Sequence, residues 1–288
     1  MAMLAPRRLV DVSRAMIEHG DEALLMGGGT ATVLMLKQGM VSAVHLVSLR
    51  AVIDEEFHDV RVADGYLHIG AGVSLSDVAT HELVRRHAPV LSSASAVVGN
   101  VRVRNMATLG GVIAESDYAS DPPAALVSLD AECVIANSGQ TRIAKVEEVQ
   151  VGFYETSLDP GDVIASVRVP IALGEHYQAY GRLTSRTAYD RPCTGVAVRL
   201  ALESGRIREA AVVVGGVAPT PVRLPDVIQL TGASLSFVEP RMVAERLVRC
   251  LRPLSDERAS SDYRRHLTAV LIARLLSEAK HDAAAVAR

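Results

Sequence analysis

Three consecutive glycines between two apolar segments restrict the fold of this chain more than any other feature. Residues 23–26 are a short apolar run typical of a buried strand, residues 27–30 read Gly-Gly-Gly-Thr, and residues 31–38 have a helical pattern. Glycines let the backbone take positive φ and approach a ligand closely, and the free N–H groups of such a turn suit a phosphate. A tight strand-to-helix turn that binds nothing explains the motif alone equally well.

Two familiar phosphate-binding motifs do not fit this turn. The dinucleotide-binding G-x-G-x-x-G pattern requires a glycine where Thr32 stands, and the P-loop requires a Gly-Lys-Ser/Thr sequence that does not follow. The turn therefore predicts a phosphate site outside the Rossmann and P-loop classes.

A second glycine segment lies further along the chain. Residues 103–111 read Val-Arg-Asn-Met-Ala-Thr-Leu-Gly-Gly and lead to Asp121, which precedes two prolines. We expect the N–H groups of Gly110 and Gly111 to meet a second phosphate and the Asp121 carboxylate to accept from sugar or ribitol hydroxyls. Taken alone, Asp121 is better explained as the cap of a helix beginning at Pro122. Two such turns predict a ligand with two phosphates between two lobes, which a dinucleotide fits.

Hydrophobic periodicity predicts the other elements of the N-terminal part. Residues 74–77 have the spacing of a capping box, and we expect their helix to reach His87 and to end before Pro89. Residues 99–120 carry few periodic cues and read as irregular; in a compact domain such a long stretch is usually either functional or a sign that its elements are assigned wrongly. Helices are expected over residues 11–19, 92–98 and 124–129, and strands over residues 43–49, 66–69, 132–136 and 163–169.

The character of the chain changes near residue 175. Residues 194–202 and 208–214 alternate apolar and polar side chains around Ser204 and Gly205, which predicts a hairpin. Helices are expected after it, over residues 240–251 and 262–276. We therefore expect two domains, residues 1–174 and residues 175–288.

Composition excludes several classes of protein. Hydrophobic residues make up 49% and charged residues 22%, the balance of a folded globular protein. The net charge of −3 offers no basic excess for a nucleic-acid partner. The apolar runs are far shorter than the ~18 residues that a membrane helix needs. Arg7 and Arg8 are followed by no apolar segment, so we expect no signal peptide and a cytoplasmic location.

Few residues suggest chemistry of their own. Cys133, Cys193 and Cys250 are far apart and odd in number, which argues against disulfides, against an iron–sulfur cluster and against a cysteine-rich zinc site. The scattered histidines predict no metal site, and no G-x-S-x-G elbow anchors a hydrolase triad. With no catalytic acid, base or nucleophile identified, the chemistry is expected to belong to a bound cofactor.

Both glycine segments resemble those of the flavoprotein subunits of molybdenum hydroxylases, the family of carbon monoxide dehydrogenase medium subunits and of xanthine dehydrogenases. The resemblance is carried by LLMGGGTATVLMLKQG (residues 24–39), VRNMATLGGVIAESDYASDPPAAL (103–126) and VVVGGVAPTPVRL (212–224), with Arg186, Asp190 and Gly195 at matching places. It implies an α+β fold: a two-lobed FAD domain of the p-cresol methylhydroxylase/vanillyl-alcohol-oxidase type, followed by a domain of antiparallel sheet and helices. Departures from the pattern are Val112, Glu115 and the pair Pro192-Cys193.

The resemblance also implies where FAD binds. The first glycine turn is expected at the pyrophosphate, the second segment near it, and Asp121 at the ribitol or ribose hydroxyls. The implied FAD-binding residues are Gly27, Gly28, Gly29, Thr30, Ala31, Thr108, Gly110, Gly111 and Asp121.

The implied function is electron transfer. Substrate would be hydroxylated at a molybdenum cofactor in a large subunit, electrons would pass through two 2Fe–2S clusters in a small subunit, and FAD in this chain would deliver them to an external acceptor. A dimer of such heterotrimers is expected. Two alternatives stay open: a stand-alone FAD-dependent oxidase or dehydrogenase, and a non-catalytic FAD-binding assembly module.

The first prediction concerns cofactor attachment. The folded chain is expected to hold about one FAD without a covalent bond, because nothing in the sequence demands a His or Cys link to the flavin. Acid precipitation should release the yellow colour into the supernatant. Colour that stays in the pellet would contradict the non-covalent attachment, and a colourless native protein would contradict FAD binding itself.

Overall fold

The computed structural model describes residues 1–286, with side chains as far as residue 283. The strands are β1 (Ala2–Leu4), β2 (Ala23–Met26), β3 (His45–Ser48), β4 (Val60–Ala63), β5 (Tyr66–Gly70), β6 (Glu132–Asn137), β7 (Gln140–Lys145), β8 (Gln150–Gly152), β9 (Glu155–Thr156), β10 (Val163–Pro170), β11 (Glu175–Thr184), β12 (Pro192–Glu203), β13 (Arg206–Gly215) and β14 (Val222–Arg223). The helices are α1 (Leu9–His19), α2 (Thr32–Lys37), α3 (Leu75–Thr80), α4 (Glu82–His87), α5 (Pro89–Ala96), α6 (Val101–Arg104), α7 (Leu109–Glu115), α8 (Asp121–Ser128), α9 (Val146–Val149), α10 (Pro240–Leu247) and α11 (Ser261–Val286).

The N-terminal part has two lobes, each built on its own sheet. Parallel strands in the order β1-β3-β2 form the first lobe, and antiparallel strands in the order β4-β5-β10-β6-β7 form the second. Strand β10 is apolar along most of its length because it lies in the middle of its sheet and is buried there. Strand β2 ends directly before the first glycine turn, so the turn lies at the carboxyl edge of the parallel sheet.

The C-terminal part is a four-stranded antiparallel sheet, β11-β12-β13-β14, with helices on both faces. Helices α5 and α8 of the N-terminal part contact one face and α11 the other. Alternate side chains divide accordingly, since Ala197 and Val213 join the N-terminal core whereas Val196 and Val214 join the core beneath α11. Because successive side chains of a strand point to opposite faces of the sheet, those of β12 pack into two different apolar cores, and the strand is buried on both faces.

Most of the sequence-predicted elements are present, but the helix predicted from residue 74 to His87 is two helices in the structure. The Ser74 side chain accepts from the Asp77 N–H at 3.1 Å, which confirms the cap. The helix nevertheless ends at Thr80, because His81 has an extended backbone and its ring nitrogen caps a new helix by accepting from the Leu83 N–H. Pro89 begins α5 and does not merely end a helix, as its fixed φ allows at a first helical position.

The expectation of a wholly irregular stretch over residues 99–120 is also wrong. This stretch contains α6 and α7, which are capped by Asn100 and Thr108. Both helices are too short to show an apolar period, so only their capping residues were available as signals. An Asp-Gly turn was missed as well: Asp64 (φ 51°) and Gly65 (φ 79°) close the hairpin β4–β5.

A buried arginine fixes the end of the C-terminal sheet. Arg264 is fully buried on α11 and donates to the carbonyls of Cys193 and Gly216, and it pairs with Asp256. Asp256 also accepts from the Tyr118 hydroxyl of the N-terminal part at 2.7 Å. Burial alone would raise the pKa of Asp256, but hydrogen bonds from Tyr118, the Arg258 N–H and Arg264 lower it to about 2. This cluster therefore links the two parts of the chain.

The second prediction tests this cluster. Arg264→Leu removes the arginine donor from two buried carbonyls and leaves Asp256 with only the more distant of its two cationic partners, Arg258 at 3.8 Å. It should reduce the free energy of unfolding by about 3–5 kcal/mol. Urea denaturation of the full chain measures the effect. Arg265→Leu is the matched control, because Arg265 pairs with an almost fully exposed Asp262 and should change stability by less than about 1 kcal/mol. Equal effects of both substitutions would contradict the assigned role of Arg264.

Candidate functional site

The two glycine segments touch each other through their backbones. A Cβ atom added at Gly28 would lie 1.6 Å from the Met106 carbonyl oxygen and 3.0 Å from the Ala107 Cα. Gly29 takes a left-handed φ of 75°, which a residue with a side chain adopts only with strain. The two glycines are therefore needed for different reasons, which the sequence pattern does not reveal. Gly28 is needed because the Met106 carbonyl lies against it, and Gly29 because its backbone is left-handed.

The first turn presents a row of backbone donors. Within residues 1–286, no protein acceptor receives the N–H groups of Gly28, Gly29, Thr30 and Ala31. These groups lead into the N-terminus of α2. Since unpaired backbone donors are normally satisfied by a ligand or by water, the turn has the donor set of an anion site, as the sequence predicts.

The second segment uses its N–H groups internally. The Gly111 N–H donates to the Thr108 side chain at 3.2 Å, and the Gly110 N–H donates to the Ala71 carbonyl at 2.9 Å. A Cβ at Gly110 would lie 2.6 Å from the Ala71 Cβ, so this glycine serves close packing. The expectation that these two N–H groups are free for a second phosphate is therefore wrong.

A cleft joins the two segments. It encloses about 950 Å³, its open mouth included, and apolar side chains such as Leu25, Met35 and Phe57 form much of its walls. The structure brings eight of the predicted residues into its lining: Gly27, Gly28, Gly29, Thr30, Ala31, Thr108, Gly110 and Gly111. A neighbouring cleft of about 600 Å³ shares Gly27, Gly28 and Thr108 with it. Free donors between two partly apolar clefts fit a dinucleotide, whose phosphates lie between two ring systems.

Asp121 is the one predicted residue absent from the lining of both clefts. It is the first residue of α8, and its carboxylate accepts from the Tyr180 hydroxyl at 2.7 Å and from Arg182 at 2.8 Å. Burial raises its pKa to about 6 against the opposing effects of Arg182 and Tyr180. The capping interpretation is wrong, because Ser120 precedes the helix and Asp121 makes no capping bond. The sugar contact stays a prediction.

An acidic cluster at the cleft was not predicted. Glu115 lines the cleft at the end of α7, and Asp117 follows two residues later. The Arg191 side chain reaches them from the C-terminal part, with its Nε 2.6 Å from Asp117 and a terminal nitrogen 3.8 Å from Glu115. Burial, followed by the charge of Asp117, raises the pKa of Glu115 to about 7 against the effect of Arg191. The only sequence signal was the departure from the family pattern at position 115.

The fold and the cleft thus define a two-part dinucleotide-binding protein. Residues 1–172 match the family described as the FAD binding domain in molybdopterin dehydrogenase, and residues 179–279 match the CO dehydrogenase flavoprotein C-terminal domain. The chain belongs to this family of molybdopterin dehydrogenase flavoproteins. It is the FAD-binding subunit of an oxidoreductase of the molybdenum hydroxylase family, and the resemblance and the α+β fold expected from the sequence are confirmed.

Similar proteins cover nearly the whole chain. The glyceraldehyde dehydrogenase medium chain of Sulfolobus acidocaldarius is 27% identical over 91% of this chain and 92% of its own length. The carbon monoxide dehydrogenase medium chain of Afipia carboxidovorans is 25% identical over 96% and 95%. Among solved structures, quinoline 2-oxidoreductase from Pseudomonas putida 86 superimposes with a TM-score of 0.91 at 26% identity, covering 98% of both chains.

The residues present fit FAD. The four unpaired N–H groups of the first turn provide donors for a diphosphate, and the contact at Gly28 keeps side chains out of the point where the clefts meet. Apolar walls suit a flat ring.

None of the helices in the described part of the chain is long and apolar enough to cross a membrane.

The third prediction concerns Gly28. In Gly28→Ala the new methyl group can avoid the Met106 carbonyl only if the two turns move apart, which displaces the free N–H groups. We expect FAD binding to weaken at least about tenfold, or about 1.4 kcal/mol. Flavin fluorescence titration measures the affinity.

The matched control for Gly28→Ala is Gly205→Ala. Gly205 has a φ of 73° and open space around its Cα, in the turn between β12 and β13. An alanine there strains the backbone and lowers stability by about 1 kcal/mol, while FAD affinity should not change. Wild-type affinity in Gly28→Ala would place the phosphate site elsewhere.

Proposed function

We propose that this chain takes electrons from 2Fe–2S clusters of a partner subunit onto FAD and passes them to an external acceptor. The observation that carries the proposal is the cleft, which offers binding donors and apolar walls. Its lining contains no cysteine, histidine or lysine, and no metal-ligand cluster occurs among the residues described. Such a site holds and orients a cofactor and leaves the chemistry to it. When bound, FAD supplies the exchange of electrons between clusters and acceptor.

The chain's own residues hold the cofactor in this proposal. The N–H groups of residues 28–31 bind the diphosphate, and the Thr30 hydroxyl adds a donor. Gly27, Gly110 and Gly111 line the cleft and allow close packing against Ala71 and Thr108. Thr108 fixes the second segment by capping α7. The Asp121 carboxylate holds the C-terminal part against the end of α8 through its buried contacts with Tyr180 and Arg182, and its contact with the sugar or ribitol hydroxyls stays a prediction.

We divide the chain into a FAD domain, residues 1–174, and a covering domain, residues 175–288. Support comes from the two apolar cores, one built mainly before residue 170 and the other after residue 195. The segment 171–174 between β10 and β11 contains neither helix nor strand. The covering domain reaches the cleft through Arg191.

The clusters and the molybdenum cofactor belong to other subunits. The chain has three cysteines, fewer than the four thiolates of a 2Fe–2S cluster. Two of them are buried and separate, and burial raises the pKa of the Cys133 thiol to about 12. We therefore assign the clusters to a small subunit and the molybdenum cofactor to a large one, in a dimer of heterotrimers. A similar solved protein, at TM-score 0.90 and 25% identity, is a carbon monoxide dehydrogenase that lacks the Mo-pyranopterin moiety of its molybdenum cofactor.

The fourth prediction separates a subunit from a self-sufficient oxidase. Carbon monoxide, aldehydes, purines and N-heterocycles are tested as reductants under anaerobic conditions, and flavin and cluster absorbance are followed. We expect one of them to reduce the flavin in the purified complex and none to reduce it in the isolated chain, because the chain lacks a hydroxylating centre. Dithionite is the control that shows the isolated chain's flavin to be reducible.

Two results would contradict the proposal. If a substrate reduces the flavin of the isolated chain as fast as that of the complex, the chain is a stand-alone oxidase or dehydrogenase. If the flavin of the complex stays oxidised while the clusters become reduced, the chain is a binding or assembly module.

A further inference from the structure

The cofactor cleft has an unusual charge balance for a site that binds a dianion. Its lining residues include two carboxylic acids, Glu115 and Asp162, and no lysine, arginine or histidine. The diphosphate of FAD carries two negative charges, and the donors this cleft offers it, backbone N–H groups and the Thr30 hydroxyl, are uncharged. Each ionised carboxylate in the cleft therefore opposes binding, in an environment that screens charges less than water does.

The charge of Asp162 is balanced by its partners. Its carboxylate accepts from Arg142 at 2.5 Å, from Asn137 at 2.8 Å and from the Asp159 N–H at 2.9 Å. Burial alone would raise its pKa, but the hydrogen bonds from Asn137, Asp159 and Arg142 lower it. Asp162 thus stays ionised, and the guanidinium of Arg142 balances its charge.

Glu115 lacks such a partner. Its nearest cation is Arg191 at 3.8 Å, beyond hydrogen-bond distance, and Arg191 is already engaged by Asp117 at 2.6 Å. The Tyr154 hydroxyl donates to Asp117 at 3.3 Å and does not reach Glu115. Two carboxylates share one half-exposed arginine, so the cluster carries a net negative charge whenever Glu115 is ionised.

We propose that Glu115 is the proton acceptor of the cofactor cleft and that FAD binds to this chain together with a proton that Glu115 takes up. The inference rests on the proposed FAD site. A neutral Glu115 removes the repulsion of the diphosphate, and its O–H becomes a donor on the cleft wall. Because burial already raises the pKa of Glu115 to about 7 before FAD binds, Glu115 can take up a proton near neutral pH.

The sign of the pH dependence follows from linkage. FAD favours the protonated form, so bound FAD raises the pKa of Glu115 further. Below about pH 7 Glu115 is already protonated and affinity is at its maximum. As pH rises above about 7, each FAD must bring a proton with it, and the dissociation constant should rise by up to about tenfold per pH unit.

Two basic side chains near the site also bear on FAD binding. His58 and Arg50 line the neighbouring cleft, which shares Gly27 and Gly28 with the first, and a cation there would also attract a dianion. His58 Nε2 lies 2.8 Å from the Val52 carbonyl oxygen. Glu115 and His58 are therefore substituted separately, to show whether Glu115 takes up the proton.

The fifth prediction is tested by isothermal titration calorimetry with the full chain freed of FAD. FAD is titrated at several pH values between about 6 and 8.5, in buffers of different ionisation enthalpy, to count protons taken up per FAD. The wild-type chain should take up close to one proton at the upper end of this range. Glu115→Gln and Glu115→Thr, both uncharged, should take up none and bind FAD with nearly pH-independent affinity. The control Glu245→Gln, on the exposed face of α10, should keep the wild-type uptake.

The possible results are distinguishable. Proton uptake that persists in both Glu115 variants, or that disappears only in His58→Gln, overturns the inference while the FAD site stands. FAD binding without proton uptake in the wild-type chain overturns it as well. A wild-type chain that binds no FAD at any pH overturns the proposed function itself.

Discussion

The contact between the Gly28 backbone and the Met106 carbonyl is the constraint on which the site depends. It joins the first glycine turn, at the edge of the parallel sheet, to the second glycine segment, which is tied to the antiparallel sheet through the Gly110–Ala71 hydrogen bond. No side chain fits between the two turns, so the clefts lie on either side of a backbone-to-backbone contact. The free N–H groups of the first turn are thereby fixed relative to the apolar walls that both lobes contribute.

The C-terminal part contributes a charged side chain next to the cleft, Arg191, but no residue to the lining of either cleft. Its central strand β12 contributes to two cores, so the sheet is held between α8 and α11. Buried ion pairs at Asp121 and Asp256 fix that placement, because an unpaired charge at either position would be costly. The same placement brings Arg191 to Asp117 and leaves Glu115 without a full partner. The protonation of the cleft is therefore set by the way the two parts meet.

Local signals in the sequence predicted local structure well. The capping box at Ser74, the hairpin around Ser204-Gly205 and the apolar strand β10 depend on neighbouring residues, and all three are present. Predictions failed where a group distant in the chain determines a contact, or where a helix is too short to show a repeating pattern of apolar residues. The break at His81 and the short helices α6 and α7 are of this kind.

The sequence by itself determined that residues 27–30 form a glycine turn between a strand and a helix, since the conformational freedom of glycine is a property of the chain segment itself. It also determined the family, through motifs spread over nearly the whole length. Only the tertiary structure decided the partners of Gly110, Asp121 and Glu115. Hydrogen bonds and ion pairs depend on distances between segments remote in the chain, and burial, which sets the cost of a charge, exists only once those segments have packed.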